Sequence, residues 1–403
     1  MNLDEIIQTA SAIRLRQRLL PEGGPGDKIF PPTFAGGVYC WEQRRIDGKS
    51  VPCVLLDSVA SQANRMEEAL MDLVVQGRID IPRFEVHFGG ELADLGTIST
   101  LAAPHRVFDA IMRDSELEGK PFFKTDIYKS LTKCNVRNAT ELFARSPTAL
   151  LFGCWDSTGA AGGLGNKFAR AVASEIVGIN AEWGVTEGGV RQDPLGISSE
   201  VEIKIDDSGD WDVVGKSATG KKERAKGTRP SEINHGNVLV RVEQGTKETI
   251  LANGTIVSQK LPLRGGVTVD YALQTTVLSL TALRRLRFPV GDKVSEATDM
   301  AARRTLAALG LIAITANRER GYWLRSRCGL VADGAQDFEI VYPDGRTILL
   351  PLTTNEAIDA YKAATDAAIG AGLPWYREPV RLTPQRKLVD LVQKSREIQS
   401  LGA

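Results

Sequence analysis

One stretch, Leu150–Asn180 (LLFGCWDSTGAAGGLGNKFARAVASEIVGIN), constrains the fold more than any other. Leu150, Leu151 and Phe152 close a short apolar run that predicts a strand. Ser157–Asn166 is a loop carrying Gly159, Gly162, Gly163 and Gly165. Lys167–Ile176 then reads as a helix, because Phe168, Val172 and Ile176 recur at every fourth position. Lys167, Arg170 and Ser174 fall on a neighbouring face. Strand, glycine loop and a helix with a basic first turn outline an anion site. Free backbone N–H groups point out of such a loop, and glycine lets a phosphate approach them.

The identity of the anion is narrowed by two failures. The pattern G-x-x-x-x-G-K-[ST] is broken, since Lys167 follows Asn166 and Phe168 stands where a metal-binding hydroxyl belongs. The pattern G-x-G-x-x-G is broken as well, because Gly163 and Gly165 are followed by Phe168. A free nucleotide is therefore a weak reading. A polymer backbone stays open, and so does a turn shaped by packing alone.

With 403 residues the chain predicts two or three units, or one core with large insertions. Its formal net charge is zero, so a polyanion site must come from local clustering. The cysteines (Cys40, Cys53, Cys134, Cys154, Cys328) are scattered, without a C-x-x-C pair. This implies neither zinc nor a disulfide framework. The histidines, His87, His105 and His235, lie far apart. No apolar run approaches the roughly 20 residues that span a membrane. The N-terminus, with Asp4 and Glu5, lacks the apolar region of a signal peptide. A cytoplasmic location is the expectation.

Residues 2–20 predict an amphipathic helix, with Ile6, Ile13 and Leu20 seven apart and Arg14, Arg16 and Arg18 between them. An irregular Pro- and Gly-rich loop follows over Pro21–Phe34. Strands are expected at Gly36–Trp41 and Val51–Leu56, joined near Asp47 and Gly48. Asp57–Val75 is the clearest helix. It has Asp57 or Ser58 as cap and Val59, Ala63, Met66, Leu70 and Leu73 as apolar stripe. Ser61, Gln62, Asn64 and Arg65 crowd its first turns, near the positive end of the helix dipole. They form either a solvated face or a second backbone-phosphate contact. A strand is expected at Ile81–Phe88, with short helices at His105–Asp114 and Asn138–Arg145.

Residues 181–260 change character. A hairpin is expected from Val201–Ile205 and Trp211–Val213 around an acidic turn. Lys216–Arg229 is a basic loop, with Lys221, Lys222, Arg224, Lys226 and Arg229 among its cations and Glu223 its single acid. Pro230–Asn237, including Asn234 and His235, leads into a strand at Val238–Val242. Beyond it come a strand at Val267–Tyr271 and a helix at Ala272–Arg287 burying Leu273, Val277, Leu280 and Leu283. Then come a helix at Ser295–Leu309 capped by Gly310, and strands at Leu311–Thr315 and Tyr322–Val331. A hairpin over Pro343–Gly345, a helix capped by Asn355, and a final helix at Pro384–Gln399 complete the chain.

No nucleophile-base or metal constellation is visible. G-x-S-x-G is absent, and no H-E-x-x-H, H-x-H or D-x-D sits in a convincing frame. Asp156 and Asp57 are the best isolated acids, each either a turn or cap residue or a general base or metal ligand. His235 is either a plain loop residue or a contact to a base. Cys154 and Trp155 read as packing residues.

Several blocks together resemble a known family: Leu55–Leu70, Leu150–Ile176, Arg229–Asn237, and the alanine-rich helix and strands at 295–331. They are similar to the backbone RAMP subunit of the type I-G (formerly I-U) CRISPR Cascade complex, a member of the "Cas seven" group. The resemblance runs through most of residues 30–350. It implies an α+β fold, an RRM-like (ferredoxin-like) palm with large finger and β-rich thumb insertions. The palm's N-terminal part with the finger would occupy residues 1–180, the thumb-like insertion 181–260, the rest of the palm 261–350, and a C-terminal helical extension 351–403. It implies a cytoplasmic antiviral ribonucleoprotein in which copies of the chain polymerise helically along CRISPR guide RNA (crRNA). Target DNA is bound through the guide, beside other Cascade subunits, without a membrane and without a cofactor or metal. The protein would be a scaffold rather than an enzyme. The RNA-binding candidates are Ser61, Gln62, Asn64, Arg65, Gly162, Gly163, Gly165, Asn166, Lys167, Arg170, Lys221, Lys222, Arg224, Lys226, Arg229, Asn234 and His235. Two other classes stay open: a metal-dependent RNA nuclease using Asp156 or Asp57, and a nucleotide-dependent transferase built on the glycine loop.

Overall fold

The computed structural model describes residues 2–156, 167–206, 209–214, 228–238, 242, 244–250, 256–291 and 293–401. It divides into two compact units, one of Met1–Asp27, Pro31–Asn180 and Val269–Ala403, the other of Lys28–Phe30 and Ala181–Thr268. The architecture is mixed α+β.

The first unit is built on a nine-stranded sheet. Its strands are β1 (Ala12–Pro21), β2 (Trp41–Ile46), β3 (Lys49–Asp57), β4 (Val172–Ile179), β5 (Tyr271–Ser279), β6 (Tyr322–Arg325), β7 (Cys328–Ala332), β8 (Phe338–Val341) and β9 (Thr347–Leu350). The spatial order is β6-β7-β1-β5-β4-β3-β2, with β8 also pairing β1 and β9 pairing β8, all antiparallel. Helix α1 (Leu3–Thr9) precedes the sheet. Helices α2 (Val59–Val75) and α3 (Glu296–Glu319) pack on each other and on β4 and β5, and α4 (Thr354–Gly370) packs on α3. Ser58 caps α2 by accepting from the Ser61 N–H at 3.2 Å. Thr353, not Asn355, caps α4 in a capping box with Glu356. A smaller sheet joins Phe84–His87, Thr97–Ser99, Ser115–Leu117 and Lys120–Pro121 to Val380–Pro384. The C-terminal region is therefore not purely helical. Among the described residues no helix is long and apolar enough to cross a membrane.

Five expectations are corrected. Residues 2–20 form one short helix and then β1, in which Ile13, Leu15, Gln17 and Leu19 face the core. Arg14, Arg16 and Arg18 share the opposite face. There Arg14 pairs with Glu339 at 2.6 Å, and Arg18 lies over Tyr271. Leu150–Phe152 belongs to a helical turn, Thr148–Phe152, rather than a strand. Lys167–Ile176 is not helical: Lys167 and Phe168 pair with Trp155 and Cys154, and Val172 opens β4. Residues 271–279 are β5, and helix begins only at Leu280. Helix α3 does not stop at Gly310 and takes in 311–315. A Cβ at Gly310 would stand 3.3 Å from both Leu278 Cδ1 and Val172 Cγ2, so this glycine lets the helix lie close on the sheet.

Among its described residues, the regular structure of the second unit is all β apart from one 3-10 turn at Pro230–Ile233. It contains hairpins of Ile203–Ile205 with Trp211–Val213 and of Gln244–Ile250 with Ile256–Pro262. Glu182–Val185 pairs with Arg264–Thr268.

Candidate nucleic-acid interface

A cleft of 410 Å³ opens in the first unit where α2 begins, lined by Ala60 and Asn64, Pro104–Arg106, Phe152–Trp155 and Lys167–Arg170. The short pairing of Cys154 and Trp155 with Phe168 and Lys167 sets its wall. Alternation turns Cys154 and Phe168 inward and leaves Trp155 and Lys167 outside. Trp155 is 43% exposed, and the Lys167 ammonium lies 5.5 Å from its ring centroid. Arg170 is exposed and donates from Nε to the Phe152 carbonyl at 3.1 Å. Among the described residues neither Lys167 nor Arg170 forms an ion pair, although the Arg170 charge also acts on buried Glu67.

The floor is fixed by Arg106, a buried residue in the left-handed region at φ 55°. Its Nε and Nη2 donate to the two carboxylate oxygens of buried Glu67 at 2.7 and 2.6 Å, and its Nη1 donates to the Gly153 carbonyl at 3.0 Å. Burial pushes the Glu67 carboxyl up to about 7, against the pull of that guanidinium. Gly153 sits at φ 81°, where a Cβ would come within 3.0 Å of the Phe168 carbonyl oxygen. Backbone held this tightly at a cleft is an organised surface. Burial lifts the Cys154 thiol to about 12, which leaves it a packing group and not a nucleophile.

The candidates from the sequence separate clearly. Asn64, Lys167 and Arg170 converge on this cleft. Ser61 is half-buried in the first turn of α2. Gln62 and Arg65 are engaged in hydrogen bonds within the fold. Gln62 is 1% exposed; it donates to Asp57 Oδ2 at 2.6 Å and accepts from Ser174 Oγ and Gln274 Nε2, each at 2.9 Å. Arg65 donates to Asp57 Oδ2 at 3.0 Å and to the carbonyls of Trp323 and Leu324 at 3.2 and 2.7 Å. Buried Asp57 thereby ties β3 to α2, and Arg65 carries the link on to β6. Gly162, Gly163, Gly165, Asn166, Lys221, Lys222, Arg224 and Lys226 lie outside the described residues.

Arg229, Asn234 and His235 belong to the second unit. Arg191, which the sequence did not single out, clamps their segment. It donates to the carbonyls of Gly236 and His235 at 2.9 and 2.7 Å and to Asn234 Oδ1 at 3.2 Å. Asp193 accepts from the N–H groups of Leu195, Gly236 and Ile197, which hold its carboxyl below the usual range. The His235 ring meets Trp211 edge-on at 5.9 Å.

Asp156 is 5% exposed, and its Oδ1 has no hydrogen-bond partner among the described residues. Burial and this carboxylate together raise the Tyr128 phenol to about 12. Among the described residues no three His, Cys, Asp or Glu side chains are grouped to hold a metal ion.

Every residue lining the cleft falls inside residues 13–183, and that stretch matches a family model described as CRISPR-associated protein GSU0053. The match supports a CRISPR-associated protein. It covers under half of the chain and ends just inside the second unit, so it takes in β1–β4, α2 and the whole cleft. No curated protein matches the chain. The CRISPR-associated stretch thus contains the exposed cations Lys167 and Arg170 and the buried pair beneath them.

Proposed function

We propose that this protein is a non-catalytic structural subunit of a type I-G Cascade complex. It binds CRISPR guide RNA along the phosphate backbone and leaves the base edges free to pair with target DNA. Copies of the chain polymerise along one guide beside other Cascade subunits. The observation that carries the reading is the convergence of Asn64, Lys167 and Arg170 on one organised cleft within the family-matched stretch. Two exposed cations on one cleft suit phosphate contacts that position without reading sequence. Specificity then comes from pairing by the guide.

The strand order supports an RRM-like palm. With β1, α2, β4, β5, α3 and β7 taken as the repeating β-α-β-β-α-β set, the sheet runs β7-β1-β5-β4, the order of a ferredoxin-like fold. The hairpin of β2 and β3 extends it beyond β4. The second unit, rich in hairpins, suits the thumb-like role.

The test is a salt titration of RNA binding. Lys167→Ala with Arg170→Ala weakens binding alike for unrelated RNA sequences and shrinks the slope of log K against log salt by about one unit or less per lost contact. An unchanged slope removes the cleft from the RNA path.

A further inference from the structure

We infer that the cleft holds a nucleobase as well as phosphate, with the Trp155 indole as its stacking platform; this rests on the RNA reading above. An indole is among the largest apolar surfaces a side chain offers, and it is normally turned inward or against a partner. Trp155 is left 43% exposed, while its strand neighbour Cys154 and the facing Phe168 supply the buried contacts. Packing therefore does not account for the tryptophan.

Its surroundings match a nucleotide. Lys167 stands directly across the pairing from Trp155, with its ammonium 5.5 Å from the ring centroid. Arg170 lines the same cleft. An aromatic face beside two exposed cations offers a base and its phosphate separate partners on one wall. At 410 Å³ the cleft lies within the range of about 300–1,000 Å³ of small-ligand sites and takes one nucleotide unit, not a run of bases. The platform is also rigid. Gly153, next but one to Trp155, is held by the Arg106 bond to its carbonyl and by its own left-handed backbone. A base that lies on Trp155 is withdrawn from the stack of its neighbours. One such site per bound segment is compatible with sequence-independent binding, since every base has a π face.

The experiment uses the full chain, a short single-stranded RNA, and the same ribose-phosphate strand made abasic. Trp155→Ala weakens binding of the intact RNA about 5- to 150-fold, the effect of losing one base-aromatic stack, without changing the salt slope. Trp155→Phe keeps most of the affinity, and the abasic strand binds wild type and Trp155→Ala equally. The variants are first shown to melt like wild type. If Trp155→Ala binds intact RNA as wild type does, while the lysine-arginine double variant still lowers the slope, the base platform is wrong and the backbone reading stands. If the double variant leaves affinity and slope untouched, the RNA reading fails and the platform with it.

Discussion

Replacing the buried pair of Glu67 and Arg106 by methionine, singly and together, tests whether this pair holds the cleft. Both carboxylate oxygens are gripped, at 2.7 and 2.6 Å, and both side chains are buried. Removing one partner strands a buried charge, which costs about 3–5 kcal/mol. Arg106→Met also leaves the Gly153 carbonyl without its 3.0 Å donor. An unsatisfied buried acceptor adds about 1–3 kcal/mol, so Arg106→Met is the more damaging single change. The double variant strands no charge and loses only the carbonyl bond, about 1–3 kcal/mol in all. Thermal unfolding followed by fluorescence ranks the three proteins. Each single variant melts below the double one, the reverse of additivity. If the double variant falls by the sum of the two singles, the charges are uncoupled and the argument for a fixed cleft floor collapses.

Three further outcomes are expected. The folded value of about 7 for Glu67 lies above its ordinary 4.5, so its contribution is fully present below pH 4.5 and is lost as pH rises through 7; Glu67→Gln flattens that part of a stability-pH curve measured by denaturation. Gln62→Leu leaves Asp57, Ser174 and Gln274 each short of a partner. It lowers stability by about 1–3 kcal/mol per group that finds no replacement, with RNA affinity of the folded protein unchanged; a specific loss of RNA binding would return Gln62 to the interface. Asp193 has a lowered folded value. Its contribution is present above its ordinary 3.8 and disappears as pH falls through the lowered value, so amide protection across 234–238, corrected for the intrinsic exchange rate, falls in acid and, at neutral pH, in Arg191→Ala.

The sequence disclosed elements that carry a clear apolar stripe or a strong turn signal. Helix α2 was legible from Ala63, Met66, Leu70 and Leu73, and the hairpin of β8 and β9 from its Pro-Asp-Gly turn. Three central strands were hidden by polar residues on their buried face. Gln17 in β1, Ser174 in β4, and Gln274 and Thr276 in β5 face the core. They break the alternation that marks a strand, and spacings such as Phe168, Val172 and Ile176 fit a period of two as well as 3.6. Their partners lie on other elements: Ser174 Oγ lies 2.7 Å from Thr276 Oγ1, the Tyr322 hydroxyl donates to Gln274 Oε1 at 3.1 Å, and Gln17 Nε2 donates to the Gly334 carbonyl at 2.8 Å. No local pattern announces partners that lie a hundred residues away. In the cleft, the cations were legible because they flank glycines. Glu67 and Arg106 were not, since Glu67 resembles any charge on a helix and Arg106 sits in an irregular segment. Trp155 was read as packing, and only the pairing of 154–155 with 167–168 turns it outward.

The connection between β4 and β5 has a wider consequence. Ile179 pairs with Tyr271, the Asp270 N–H donates to the Ile179 carbonyl at 3.0 Å, and Asn180 Nδ2 donates to Asp270 Oδ2 at 3.0 Å. Topologically these two strands are an ordinary hairpin whose turn has swollen to include Ala181–Thr268. Closing a loop costs only about 0.6 kcal/mol more for each doubling of its length, so the neck, once tied, is nearly indifferent to what hangs from it.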